Sequence, residues 1–172
     1  MLNTDILYNG ISNAVSGTVS DLDVIRALES LLDIYKESNK KEGQYFLPLE
    51  LFSERRLGVL EIVIKYLHEG RGLSYGRIAD ILCRDDRTIW ASYHSSVRKL
   101  KSPLRIGSQT NIMIPSSIFN NRVLGPLEAL VIYLKRDCGL SFKEISLKLK
   151  REYCVIWLSY RKGTDKLLKV KR

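Results

Sequence analysis

Cysteine and histidine are both scarce in this chain. Its three cysteines, Cys83, Cys138 and Cys154, fall at no metal-ligand spacing and form no even disulfide framework. Each reads as a small packing residue. The only two histidines, His68 and His94, stand apart from any cysteine or carboxylate cluster, so no metal and no cofactor is expected. Long apolar runs are missing too. Nothing approaches the roughly 20 residues of a bilayer span, and the start lacks a charged-then-apolar targeting pattern. The expectation is a cytoplasmic protein without a membrane partner.

What the sequence does hold is a repeat. Residues 73–100, LSYGRIADILCRDDRTIWASYHSSVRKL, return 67 positions later as LSFKEISLKLKREYCVIWLSYRKGTDKL. The match extends upstream without a gap, and about twenty of fifty-four aligned positions are identical, among them Pro48/Pro115, Gly58/Gly125, Ile89/Ile156, Trp90/Trp157 and Tyr93/Tyr160. Two copies of this period make a duplicated small domain rather than a solenoid.

Charge is distributed unevenly. The net charge is +9. Residues 1–45 carry four basic against seven acidic side chains, residues 46–102 ten against seven, and residues 103–172 fourteen against five. The second half should therefore seek a polyanion, most simply nucleic acid, the bland alternative being a solvated basic surface.

In chain order, residues 1–45 form an acidic segment with one amphipathic helix over about 21–38. Leu22, Ile25, Leu28, Leu31, Leu32 and Tyr35 make its apolar stripe. That stripe either packs on the neighbouring domain or makes a homodimer. Residues 46–101 form the first repeat domain, 102–112 a linker and 113–172 the second domain with a basic tail. Each repeat reads as four helices, the first of them Pro48 to Phe52 in copy one. Gly125-Pro126 marks a helix start, and Gly72 and Gly139 mark helix ends. Ser141 with Glu144 makes a capping box that copy one, with Arg77, only half makes. Asp85 caps the last helix of copy one. The fold expected is all-α, an N-terminal helix followed by two duplicated four-helix domains.

The last two helices of each copy, joined by a tight turn, have the form of a helix-turn-helix. Such a unit lays its second helix in the DNA major groove, where base edges carry a full donor and acceptor code. With Ile89, Tyr93 and Val97 turned inward, Arg87, Thr88, Ala91, His94 and Ser95 face out. Arg87, Thr88, Ala91 and His94 are the candidate base contacts, joined by Arg161 from copy two. Arg84, Arg98, Lys99, Lys101, Lys143, Lys148, Lys150, Arg151 and Lys162 are candidate phosphate contacts. Copy two presents Cys154, Val155, Leu158, Arg161 and Lys162 outward. Its apolar positions suit thymine methyls, a protein contact or docking through the flanks alone. Trp90 and Trp157 read as core residues at equivalent places, the alternative being exposed rings that stack on bases.

This pattern resembles region four of bacterial sigma factors and is similar to the four-helix domains of response regulators. The matching residues are Leu73-Ser74, Ile78, Ala79, Leu82, the short turn and Arg98-Lys99-Leu100. Copy two keeps Leu140-Ser141, Ile145, Leu149 and Lys166-Leu167 but has Ser146 for Ala79. The resemblance covers both repeats and implies a DNA-binding domain with Arg87, Thr88, Ala91 and His94 in the groove. A sigma factor itself is not expected, because no region-two segment occurs. The reading is a non-enzymatic, nucleoid-associated double-stranded DNA-binding protein, a transcription regulator before a weakly specific chromosome-organising or partition-type protein. A scaffold touching RNA polymerase is the further alternative. Recombinases and transposases also carry such domains, but this chain is too short to add their catalytic core. The linker, fully extended, can span the ~34 Å between successive major-groove faces.

Overall fold

The computed structural model describes residues 44–104 and 112–170, with Ile25, Arg26, Glu29 and Ser30 from the N-terminal segment. The chain divides into two compact units, Met1–Gly43 and Gln44–Arg172. In the first, the four described residues are helical and exposed, and the Ser30 hydroxyl donates to the Arg26 carbonyl at 2.9 Å. The rest of the expected 21–38 helix lies outside the described residues.

The second unit runs β1 (Phe46–Pro48), a 3-10 turn (Leu49–Ser53), α1 (Val59–Lys65) continuing into a π-helical turn (Tyr66–Gly70), α2 (Tyr75–Leu82) and α3 (Asp86–Lys99). It then repeats the order with β2 (Met113–Pro115), a 3-10 turn (Ser116–Phe119), α4 (Pro126–Arg136), α5 (Phe142–Leu149) and α6 (Tyr153–Val170). No helix among the described residues is long and apolar enough to cross a membrane.

Local chemistry explains the helix ends. Ser141 accepts from the Glu144 amide at 3.2 Å while Glu144 accepts from the Ser141 amide at 2.8 Å, closing the expected box. Ser74 accepts from the Arg77 amide alone, at 3.3 Å, so copy one has half a box. Asp85 accepts from the Thr88 amide at 2.9 Å and caps α3. Gly72 and Gly139 have φ of +66° and +70°, the left-handed backbone that ends a helix at low cost for glycine.

Two features depart from an all-α pair of four-helix domains. The short first helix expected over Pro48 to Phe52 is a 3-10 turn, Leu49–Ser53, and a short strand precedes it, leaving three α-helices per copy. Pro48, with φ of −59° and no amide to donate, ends the strand and caps the turn. The copies also interlock. β1 and β2 pair antiparallel in the register Phe46↔Pro115, Leu47↔Ile114, Pro48↔Met113. Shifted by the 67-residue repeat, this register maps onto itself, with the equivalent residues Leu47 and Ile114 opposite each other. The backbone bonds flanking it are reciprocal: Leu49 N–H donates to Ile112 and Ser116 N–H to Tyr45, at 3.1 and 2.7 Å. Phe52 faces its own equivalent Phe119, ring centres 6.1 Å apart.

The core follows this two-fold pattern. Each 3-10 turn packs on the first helix of the other copy's two-helix pair, the first turn on α5 and the second on α2, and α1 also touches α4. Leu47, Phe52, Ile114 and Phe119 are all buried at the centre. Burial of this apolar surface is the main force holding the copies together. Residues 105–111 of the expected linker lie outside the described residues.

Candidate nucleic-acid interface

In each copy the last two helices meet through a turn that bends at one left-handed residue. Cys83 has φ of +49° and its equivalent Lys150 +50°. The next amides, Arg84 and Arg151, bond back to Ala79 and Ser146 at 2.9 and 3.1 Å, which fixes the entry angle of α3 and of α6. Ile89 and Ile156 anchor those helices in the core with no exposed surface.

Small residues let the helices approach. Ser96, fully buried, and Gly163 occupy equivalent positions where α3 meets α1 and α6 meets α4. A methyl at Gly163 would stand 2.7 Å from Ile132 Cδ1. One acid–base clamp then serves each copy. Glu61 accepts from Lys99 Nζ at 2.7 Å and from the Gly58 amide at 2.8 Å. Equivalent Glu128 accepts from Lys166 Nζ and the Gly125 amide, both at 2.8 Å. Burial raises the Glu61 carboxyl, but hydrogen bonds from Lys99, Gly58 and Ser95 together outweigh it, so the net shift is downward. Glu128 behaves alike, with Lys166 and Gly125 as its donors.

The outward face of α3 carries most of the expected base contacts. Arg87, Ala91 and His94 are exposed. Thr88 is half-buried, and its hydroxyl donates to Asp85 at 2.7 Å, so it serves the cap as well as the face. Arg161 is exposed on α6, its guanidinium 5.5 Å from the Trp157 ring centre. Among the expected phosphate contacts, Arg98, Lys101, Lys143, Lys148, Lys150 and Lys162 are exposed. The other three are committed elsewhere. Lys99 is held by Glu61. Arg84 and Arg151 are half-buried, and the Nε of each is buried without a partner among the described residues. Arg151 Nη2 reaches the Leu57 carbonyl of the other copy at 3.4 Å. Burial, and then the neighbouring Arg55, lower its affinity for its proton.

No family model, curated protein or solved structure matches the chain.

The tryptophans overturn their reading as core residues. Trp90 is 55% exposed and Trp157 39%. Each leans on the residue one turn later, Trp90 on His94 with ring centres 4.1 Å apart and Trp157 on Arg161. Cys83 and Cys154 are also exposed rather than packed, and Cys138 is intermediate. Cys83 occupies the turn and Cys154 the outer face of α6, where no neighbour covers a small side chain. Around Trp157 the surface stays apolar, with Tyr153, Val155 and Leu158 all exposed. Among the described residues, no group of three or more His, Cys, Asp or Glu is placed to hold a metal.

Proposed function

We propose that residues 44–170 bind double-stranded DNA, with α3 and α6 as two helices presented to successive major-groove faces. The observation that carries this reading is the exposed row Arg87, Ala91 and His94 on a capped helix that follows a tight turn, repeated in position by α6 within a self-symmetric core. A chain with an internal two-fold mimics the dimers that bind paired half-sites. The two outward faces differ, with Arg87, Thr88 and Ala91 against Cys154, Val155 and Leu158. The site should therefore be two unlike half-sites rather than a palindrome. Arg87 suits guanine, and the apolar face of α6 suits thymine methyls. A transcription regulator fits this arrangement better than a weakly specific chromosome-organising protein, because α3 offers polar base-reading groups.

The test is fluorescence anisotropy of the full chain with duplex DNA across a salt series. The logarithm of the affinity should fall with log salt with a slope of ~0.9 per phosphate contact. Arg87→Ala should cost about 1–3 kcal/mol on a selected site, and Lys150→Ala should weaken all sequences alike. No binding at low salt removes the proposal. One observation would then favour a second reading: Tyr153, Val155, Trp157 and Leu158 form an exposed apolar face suited to a protein such as RNA polymerase.

A further inference from the structure

A recess of about 530 Å³ opens beside the outward face of α3, lined by Tyr75, Asp86, Arg87, Trp90 and Ala91. Its size falls in the range of small-ligand sites. Its two aromatic walls are held from behind. His94 backs Trp90, and His68 stacks on Tyr75 with ring centres 4.6 Å apart and an interplanar angle of 27°. His68 is fixed in turn through Nδ1, 2.7 Å from the Leu73 carbonyl oxygen, and by the edge of Tyr93 at 4.5 Å. The walls are therefore preformed. Gly76 lies across from Asp86, and a methyl there would meet Asp86 Oδ2 at an ordinary contact distance of 3.9 Å.

Copy two carries different residues at the corresponding places. Tyr153 stands where copy one has Asp86 and meets Phe142, the equivalent of Tyr75, edge-on at 6.4 Å. Leu158 replaces Ala91 and Lys143 replaces Gly76. Copy one alone has the acidic and basic pair Asp86 and Arg87 beside its exposed indole, where copy two has Tyr153 and Cys154.

We propose that this recess takes a single nucleobase free of its stack, guanine in preference to the others. The inference rests on the DNA reading above and adds a second mode of recognition to it. An intact duplex shows proteins the edges of its bases, and the faces are covered by stacking. Trp90 offers a flat apolar face, which an unstacked base can cover and a paired one cannot. The rim decides which base. Guanine presents N1–H and N2–H donors that the Asp86 carboxylate can accept, beside O6 and N7 acceptors for Arg87. Ala91 lines the recess and His94 backs its Trp90 wall, so an extruded base would come from DNA held along this same face of α3.

The experiment uses the full-length chain carrying Trp157→Phe, which leaves Trp90 as the only tryptophan of the two in the sequence. Three duplexes of one sequence are compared: fully paired, with one unpaired dG, and with an unpaired abasic residue at the same place. The dG bulge should bind about tenfold to a hundredfold tighter than the abasic bulge, the range that base–aromatic stacking supplies. Trp90 emission should be quenched by the dG bulge alone, and Trp90→Ala should bring the ratio of the two bulges to about one. Equal binding of the two bulges, or unchanged Trp90 emission on the dG bulge, overturns the recess while salt-dependent binding of the paired duplex leaves the DNA reading standing. Failure to bind any of the three overturns both.

Discussion

Gly163 carries the least chemistry of any residue on α6, yet the packing of the second copy depends on it. Its missing side chain is filled by neighbours: an added Cβ would meet Ile132 Cδ1 at 2.7 Å and Glu128 Cβ at 3.1 Å. Overpacking of this kind costs about 1–3 kcal/mol. Part of that is offset, because alanine favours a helix interior over glycine by roughly 1 kcal/mol. Gly163→Ala should therefore destabilise the chain by up to about 2 kcal/mol, read as a lower urea midpoint with an unchanged slope. A stabilised variant would mean that α4 and α6 can separate without loss. Copy one solves the same problem with Ser96, whose hydroxyl donates to the Tyr93 carbonyl at 2.6 Å instead of needing an outside partner.

The tryptophans show what was and was not legible at this scale. In the structure the buried residues of α3 are Ile89 and Ser96, so the inward arc is turned away from the Ile89/Tyr93/Val97 face expected from the sequence. Trp90 follows Ile89 by one residue, about 100° around the helix, and cannot share that arc. Ring size argued for burial, and helix geometry decided for exposure. Arg87, Ala91 and His94 were legible because the same geometry placed them.

The clamp between neighbouring helices is the clearest device at the scale of elements. Glu61 and Glu128 each join a helix start to the far end of the third helix of their copy, through Lys99 and Lys166. Both carboxyls titrate below their ordinary value of 4.5 in the folded chain. A carboxyl depressed by folding adds stability above its unfolded value, and that stability is lost as pH falls through the folded one. Unfolding free energy should thus be level near neutrality and decline as pH drops from about 4.5 downward. Glu54, lowered to about 2 mainly by the Arg56 side chain, extends the decline at its acid end. The double variant Glu61→Gln/Glu128→Gln should lose about 0.5–1 kcal/mol per clamp at pH 7, since both lysines are half exposed to solvent. It should also show a shallower acid limb in urea titrations between pH 6 and 3. An equally steep limb would place the acid sensitivity elsewhere. These clamps were hidden in the sequence, because each partner lies 38 residues away. Caps formed within four residues, such as Ser141 with Glu144, could be read directly.

At the scale of the molecule, what escaped the sequence was the joint between the copies. A three-residue strand has too little alternation to announce itself, and its partner lies 67 positions distant. Polar, Gly- and Pro-containing residues between the repeats suggested beads on a linker. The structure instead fixes the offset between α3 and α6 through a shared core, so under the proposed function the spacing of the two half-sites is set by packing and not by linker reach.

That arrangement has a thermodynamic consequence. Leu47, Phe52, Ile114 and Phe119 are buried against residues of the other copy, and neither half completes its core alone. Cutting Phe119 to alanine should remove about 3–5 kcal/mol, and the loss should appear in both copies together. Two single-tryptophan proteins can report on each half, Trp157→Phe through Trp90 and Trp90→Phe through Trp157. Their urea transitions should coincide, and Phe119→Ala should shift both midpoints downward by the same amount, as a single cooperative unit requires. Separate transitions, with only the Trp157 signal moved by Phe119→Ala, would show two domains that merely touch. Coincident ones would mean that the two copies form one cooperative unit, and that α3 and α6 can only be presented together.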